Sequence, residues 1–337
     1  MEFEKWYNKN YRKLLILPAI VLAIAIIYII VFSIHNGDAI RKDVSLTGGT
    51  TISVVTGKPV EELKSFLKGK ISDFSVKAIS DNSGRQIELS VIVKEEDTEK
   101  LKQLLGEFIG EELNQENSSI ETTSASLSKE FYKQVITAVI LAFFWMSAVV
   151  FVIFAKGKGI KAKVIFVNIL FGFFLGNFFF TINKLASAAI FLAFAYYLIR
   201  TYIRFSVPAF AVILSAFADI VMTLAVVDLI GMKVSTAGIV AFLMLIGYSV
   251  DTDILLTTRL LGKREETNKA LFKAFKTGVT MTLTSIAAVV AALFAVYSFG
   301  TALNQILTIL LIGLVFDLFN TWITNASMIK WYVEVKK

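Results

Sequence analysis

The sequence predicts a polytopic α-helical membrane protein that carries one soluble α+β domain between its first and second spans. Three observations predict this. Of the 337 residues 56% are hydrophobic and only 3 are proline, with a mean hydropathy of +0.69; a soluble domain of this length does not carry so much apolar surface. The apolar residues fall in long unbroken runs, of the order of the ~20 residues that cross the hydrocarbon at 1.5 Å per residue. Residues 36–130 interrupt these runs with alternating and amphipathic patterns and an acidic balance.

The first apolar run, Leu14–Ile34, follows Lys5, Lys9, Arg12 and Lys13. It is long and no small-x-small cleavage site follows it, so residues 1–35 read as an uncleaved anchor rather than a signal peptide. Within 36–130, Thr51–Val55 alternates as a strand and Pro59–Lys70 is helical, with Pro in an early position and Leu63, Phe66 and Leu67 on one face. Phe74–Ser80 and Gln86–Val93 are strands around the turn cluster Asp81–Gly84. Thr98–Leu113 is an amphipathic helix that turns Leu101, Leu104, Leu105 and Phe108 inward, and Ser119–Ala125 is a last strand. The order β-α-β-β-α-β is the ferredoxin-like split arrangement.

Seven further apolar runs follow, at Val135–Phe154, Val164–Thr181, Leu185–Ile199, Phe205–Leu229, Val234–Leu256, Val279–Tyr297 and Leu303–Ile329, making about eight spans. The chain divides accordingly into the anchor (1–35), the soluble domain (36–130), a second span (131–156), a helical hairpin (157–203) and a membrane bundle (204–337). Residues 36–130 carry a net charge of −5 and the remainder +12, so the basic charge belongs to the membrane part and its loops. That distribution is no nucleic-acid signature. The loops 156–163, 200–204 and 259–276 and the C-terminal Lys330, Lys336 and Lys337 are basic, whereas those near Lys184, Lys233 and Ser298–Thr301 are poor in charge. The positive-inside rule then places both termini in the cytoplasm and 36–130 outside the cytoplasmic membrane. With no cysteine in the chain, disulfides, thiolate metal sites and cysteine nucleophiles are excluded.

The chemistry-bearing candidates are the carboxylates inside the spans: Asp219, Asp251, Asp253 and Asp317. An ionised Asp at mid-membrane costs roughly 2.5–3.5 kcal/mol on the insertion scale, and such residues normally face a bundle interior or a water-filled cavity. Asp228 sits near a span end, within reach of water. Ser215, Asp219 and Thr223 share a helix face; so do Ser249, Asp253 and Thr257, and Gly313, Asp317 and Thr321, with Asn320 and Thr324 adjacent. Thr277, Thr280 and Thr284 line a face of the next-to-last span. Asp251 and Asp253 are about 200° apart on a helix and must meet different neighbours. No Lys, Arg or His lies deep in these spans. Two readings stay open: a relay whose members are neutral at rest and ionise on hydration, and protonated acids that act as packing glue between helices. His35, at the end of the first span, reads as an interfacial residue; Gly172 and Gly176 fit a close helix contact; Gly48-Gly49 reads as a turn into a strand rather than a phosphate loop.

Three segments carry a resemblance. Asp43-Val-Ser-Leu-Thr-Gly-Gly-Thr50 resembles the Asp-x-x-x-x-Gly-Gly-Thr element that opens the exported domain of the SecD/SecF protein-export membrane protein family. Gly247-Tyr-Ser-Val-Asp-Thr-Asp-Ile-Leu-Leu-Thr-Thr-Arg259 resembles the Gly-Tyr-Ser-x-Asn-Asp-Ser/Thr…Arg segment of its SecF subunits, in an Asp-Thr-Asp form similar to the archaeal branch. Ala218-Asp219-Ile220 stands where the family has His-Asp-Val/Ile. The likeness covers roughly 1–155 and 205–330. It implies half of a resistance–nodulation–division-like bundle, and an accessory factor of protein translocation that pairs with a SecD-like subunit. The implied surroundings are the Sec translocon, the translocating polypeptide and membrane lipids, and protons moving through the bundle would drive the exported domains. Carried over, Asp219 and the Asp251/Asp253 pair are the relay carboxylates, and Arg259 marks the cytoplasmic end; the reading of the residues themselves adds Asp317 to the relay and Thr223, Ser249, Thr252, Thr257, Thr280 and Thr284 as supporting polar groups. The chain departs from the family where Thr252 aligns with its second motif acid, where Lys276-Thr277 replace a bacterial arginine, and where 157–203 add two spans to the usual six.

The alternative is a self-contained ion or small-solute transporter of the resistance–nodulation–division superfamily, which predicts a second exported domain and a repeated membrane half in the same chain. An intramembrane aspartyl protease would show Gly-x-Gly-Asp where this chain has Gly247-Tyr-Ser-Val-Asp251. No enzymatic activity, cofactor, metal or nucleic-acid partner is expected, and the coupling ion, H⁺ or Na⁺, is left open.

Overall fold

The computed structural model describes residues 2–80, 85–262, 266–296 and 302–336. The Asp81–Gly84 turn cluster and the Ser298–Thr301 loop lie outside the described residues. Eight helical segments among those described are long and apolar enough to cross a membrane, so the chain is a multi-pass membrane protein. The first combines α1 (Glu2–Leu14) and α2 (Ile16–Asn36). The others are α6 (Ala125–Phe154), α7 (Lys158–Asn177), α8 (Lys184–Phe205), α9 (Val207–Leu229), α10 (Thr236–Leu261), α11 (Thr267–Val296), and α12 (Ala302–Phe319) with α13 (Ala326–Lys336). Short polar side chains start several of them. Asn183 Oδ1 accepts the Leu185 N–H at 2.9 Å ahead of α8, and Ser206 Oγ accepts the Ala209 N–H at 3.3 Å ahead of α9, whose first turn holds Pro208.

Between α2 and α6 lie a single helical turn α3 (Val44–Thr47), β1 (Gly49–Val55), α4 (Val60–Leu67), β2 (Phe74–Ser80), β3 (Gln86–Val93), α5 (Thr98–Ile109) and β4 (Ser118–Thr123). The sheet is antiparallel throughout in the order β2-β3-β1-β4, which is the split β-α-β-β-α-β arrangement. Ile52 lies opposite Val91 on one side and Ile120 on the other. Period-two alternation turns Ile52, Val54, Leu89, Val91 and Val93 onto the helices, where they pack with Leu63 and Leu67 of α4 and Leu101, Leu105 and Phe108 of α5. Each such buried side chain contributes roughly 1.5–3 kcal/mol. Both helices stop short of the predicted ends, at Leu67 and Ile109, where Gly69 (φ +83°) and Gly110 (φ +91°) turn the chain left-handed.

The soluble unit is tied to the bundle by backbone as well as side chains. Val234, just before α10, donates to Arg41 O at 2.6 Å, and Asp43 donates back to Val234 O at 2.9 Å, a parallel bridge between the α2–β1 connection and the α9–α10 loop. Lys233 pairs with Asp73. Gln305 of α12 accepts from Ser235 Oγ at 2.5 Å and donates to Lys233 O at 2.5 Å.

Within the bundle α10 packs against α6, α9, α11 and α12, while α11 is barely covered along its outer side. Helices α7 and α8 stand to one side on a phenylalanine cluster, with Phe171 centred 4.4 Å from Phe144 and 5.1 Å from Phe194. Gly172 approaches Leu141 of α6, but a Cβ at Gly176 would meet nothing within 4 Å among the described residues, so only the first glycine of that pair makes the expected contact. Lys330, expected in a solvated flank, is instead buried. It donates to Asn8 and to Asn268 (3.0 Å), lies beneath the Tyr11 ring, and so joins α1, α11 and α13.

At Gly313, one turn before Asp317, a Cβ would come within 2.5 Å of both Leu245 methyls, so α10 and α12 touch there only because no side chain intervenes. Gly313→Ala is therefore expected to force these helices apart and lower the melting temperature of the detergent-purified protein; Gly176→Ala, in open space, leaves it within error.

Candidate functional site

Three carboxylates, each on its own helix, are fully buried in the bundle: Asp219 of α9, Asp253 of α10 and Asp317 of α12. Hydrogen bonds link their helices: Ser249, one turn before Asp253 on α10, binds Asp219 of α9. Each finds its donors on a neighbouring helix or one turn along its own. Asp219 accepts from Ser249 Oγ of α10 at 2.6 Å and from Asn320 Nδ2 at 2.7 Å. Asp253 accepts from Asn325 Nδ2 at 2.8 Å, and the same amide reaches Thr257 Oγ1 at 3.3 Å. Asp317 accepts from Thr321 Oγ1 at 3.2 Å and from Thr282 Oγ1 of α11 at 3.5 Å. Thr324 Oγ1 donates to Asn320 Oδ1 at 3.2 Å and fixes that amide's orientation.

The two asparagines can serve two different helices because of the backbone between α12 and α13. Asn320–Asn325 wind as a π-helical turn. In an α-helix residues five apart point about 140° from each other. The wider i→i+5 turn brings Asn320 and Asn325 toward a common side, one against α9 and the other against α10. Such turns are uncommon and concentrate at functional positions. The carboxyl groups are not saturated: Asp253 Oδ2, Ser215 Oγ and Thr223 Oγ1 are buried without a hydrogen-bond partner among the described residues, and the Ser215 and Thr321 hydroxyls lie beside Asp253. The cluster therefore combines three acids, amide and hydroxyl donors and spare acceptor capacity, and no Lys, Arg or His side chain touches it among the described residues.

Several sequence expectations need correction. Asp251 is exposed on the far side of α10 and does not join Asp253. Thr280 and Thr284 are exposed and bond only to the carbonyls of Lys276 and Met281 on their own helix; the inward threonine of α11 is Thr282, which lies between those two in sequence and so on the opposite face. Thr252 is buried against Gly278, with its hydroxyl on Tyr248 O at 3.4 Å, away from the acids. Arg259 is exposed and donates to Lys273 O at 3.2 Å and Thr277 Oγ1 at 3.0 Å, bracing α10 on α11. Asp228 does not reach water; it is buried and accepts the Arg41 N–H at 3.3 Å. Asn325 and Thr282 were missed, though an asparagine within an apolar run was a signal of the same kind as the acids.

The Asp43–Thr50 element lies elsewhere, where the soluble unit meets the bundle. Asp43 is buried 3.9 Å from Lys77 Nζ, on a polar cleft of about 350 Å³ that Lys233, Ser235 and Gln305 also line. Gly48 takes φ +83°, a left-handed turn that suits glycine, and Gly49 opens β1. Thr50 is buried and accepts from Thr98 Oγ1 at 2.7 Å, which pins β1 to the start of α5. The element builds the junction and does not approach the carboxylate cluster.

Ser249→Ala leaves Asp219 short of a buried donor and is expected to cost about 1–3 kcal/mol of unfolding stability. Thr284→Ala, on the exposed side of α11, is expected within about 0.5 kcal/mol of the parent; chemical denaturation in detergent reads both.

Known proteins share this architecture. Residues 176–335 match the family "Protein export membrane protein SecD/SecF, C-terminal". A protein-export membrane protein SecF of Methanocaldococcus jannaschii is 32% identical over 332 residues, covering 96% of each chain. The SecF of Methanothermobacter thermautotrophicus is 32% identical over 335 residues, covering 97% of this chain and 94% of its own. In three dimensions the chain superposes on the crystal structure of SecDF, a translocon-associated membrane protein of Thermus thermophilus, with a TM-score of 0.55 and 15% identity. The superposition covers 98% of this chain but only 38% of that longer one.

Proposed function

The chain belongs to the SecF protein-export membrane protein family, and from that premise we propose that it works with a SecD-like subunit at the Sec translocon, using the transmembrane ion gradient to promote export of polypeptides. The observation that carries this reading is the buried cluster of Asp219, Asp253 and Asp317, hydrogen-bonded through a π-helical turn and without a countercharge in reach among the described residues. An acid held this way changes its hydrogen-bond requirements whenever it gains or loses a cation, and its neighbours must then shift. Donors that span three helices convert such a change into relative movement of those helices.

The ends of the same helices hold the soluble unit. Asp228 of α9 binds the Arg41 backbone, the loop before α10 bridges to residues 41–43, and Gln305 of α12 braces that loop at Ser235 and Lys233. Movement in the cluster thus has a direct mechanical route to residues 36–130, the segment we place outside the membrane, where the translocating chain emerges. The acidic balance of that segment and the basic loops at the opposite ends support this orientation. Ferrying of the ion falls in this scheme to Asp219, Asp253 and Asp317, with Ser249, Thr321, Asn320 and Asn325 as the donors that respond.

Asp219→Asn and Asp253→Asn keep the shape of each side chain and remove its capacity to exchange a cation. Both variants are expected to assemble normally and to slow secretion severalfold in cells that depend on this chain. Parent-like secretion in both would refute the relay.

A further inference from the structure

One end of the acid cluster is covered by a helix that the relay does not use. Helix α1 packs against α13 and the π-helical turn. It sets Tyr7 and Tyr11, one turn apart, into a buried cluster with Leu256 and Leu260 of α10, Leu271 of α11 and Trp322 of that turn. Both leucines of α10 stand within a turn of Thr257, and Thr257 is one turn beyond Asp253. The cover therefore begins one turn from the acid. The opposite face of α1 is exposed and carries Trp6, Lys9, Arg12 and Lys13, the pattern of a helix at a headgroup interface.

The ties that hold α1 down are polar and concentrated. The Tyr7 and Ser327 hydroxyls meet at 3.1 Å, both buried, two residues past the Asn325 whose amide binds Asp253. The Tyr11 hydroxyl donates to the Glu334 carboxylate. Lys330 lies five residues past Asn325, about 7.5 Å further along the helix. Its buried ammonium donates to Asn8 and to Asn268 (3.0 Å), stands 3.8 Å from Glu334 Oε1, and lies beneath the Tyr7 and Tyr11 rings at 5.4 and 4.9 Å. An ammonium out of water is stable only while such partners stay in place, and Asn8, Tyr7 and Tyr11 all belong to α1. The helix also has a pivot: Pro18 has no N–H to offer Leu14 O, and regular winding lapses at Leu15, between α1 and α2.

We infer that α1 is a gate over this end of the carboxylate cluster, cytoplasmic in the orientation proposed above. Ser327 and Lys330 hold the gate closed, and the buried ammonium repels any cation that leaves Asp253 in this direction. Ser327 and Lys330 follow Asn325 on the same stretch of helix. A rearrangement of the Asn325–Asp253 bond on ion exchange thus shifts both and frees α1 to swing about Pro18. The inference rests on the ion relay and adds its closure.

The test uses the full chain in inverted membrane vesicles, whose outer surface is the cytoplasmic one. Because the chain has no cysteine, Thr257→Cys introduces a single thiol beneath α1, and Lys158→Cys a single exposed one. A charged, membrane-impermeant thiol reagent should label Lys158→Cys fast and Thr257→Cys slowly. Tyr7→Phe and Asn8→Ala each cut one tie of α1. Added to Thr257→Cys, they should speed its labelling roughly three- to tenfold and ten- to hundredfold, the shifts expected for one neutral and one charge-assisted hydrogen bond. Lys9→Ala, on the outer face, should leave it unchanged. Val150→Cys, as far from the end of α6 as Thr257 is from that of α10 and buried in a different cluster, should stay slow in the same variants. Unchanged labelling of Thr257→Cys in both variants would overturn the gate. So would equal acceleration at Val150→Cys, which would mean general loosening. Failure to label Lys158→Cys would reverse the orientation and overturn a cytoplasmic gate. Accelerated labelling together with parent-like secretion by Asp253→Asn would keep α1 as the closure and remove the relay beneath it.

Discussion

Hydrocarbon offers a carboxyl group no hydrogen-bond donor, so Asp219, Asp253 and Asp317 have to find theirs on neighbouring helices, and much of the bundle's geometry follows from that need. Ser249 must stand one turn before Asp253 so that α10 serves Asp219 while presenting its own acid. Gly313 must lack a side chain so that α12 comes close enough to α10 to bring Asp317 in. The last span must leave α-helical winding at Asn320–Asn325 so that one strand of backbone supplies amides to two helices. A fully satisfied network of this kind would be static. Here Asp253 Oδ2 and the hydroxyls of Ser215 and Thr223 keep capacity in reserve, which leaves room for a second arrangement.

The soluble unit is placed by the same helices. Asp219 and Asp228 are nine residues apart on α9, about 13 Å along a rigid rod, with the first in the acid cluster and the second under the Arg41 backbone. On α12, Gln305 lies twelve residues before Asp317, about 18 Å along the helix, and braces the α9–α10 loop that bridges to Arg41 and Asp43. The Asp-x-x-x-x-Gly-Gly-Thr element receives this connection: Asp43 bridges to Val234, Gly48 turns the chain and Thr50 joins β1 to α5. Its sequence specificity then reflects the geometry of a joint rather than a binding site.

Much of this was legible in the sequence, and the exceptions have physical causes. Strands β2 and β3 begin and end where alternation and composition place them, because one face of each is buried and the period is short. The spans declare themselves by length alone. Among the acids, Asp219, Asp253 and Asp317 come together as polar stripes suggest, since helical spacing dictates which residues share a face. Helical spacing does not say which of two polar faces looks inward. That ambiguity puts Thr280 and Thr284 in the place of Thr282, and makes Asp251 and Asp253 equivalent in sequence, whereas in the bundle Asp253 alone faces the interior. The π-helical turn has no sequence signature of its own, so the pairing of Asn325 with Asp253 emerges only in three dimensions. Asp228 and Lys330 misled for a related reason: a charged residue near a span end reads as solvated until a loop or another helix covers it.

The central claim, that an ion gradient acts through the buried acids, is tested most directly by perturbing both at once. Export into inverted membrane vesicles can be timed for the parent and for Asp253→Asn, each with the gradient intact and collapsed, in separate H⁺ and Na⁺ series. If the gradient works through the cluster, collapsing it slows the parent by about the factor that the substitution does and slows the variant no further. Multiplicative slowing, with the variant still losing as much as the parent when the gradient collapses, would mean that the gradient acts elsewhere and would contradict the account.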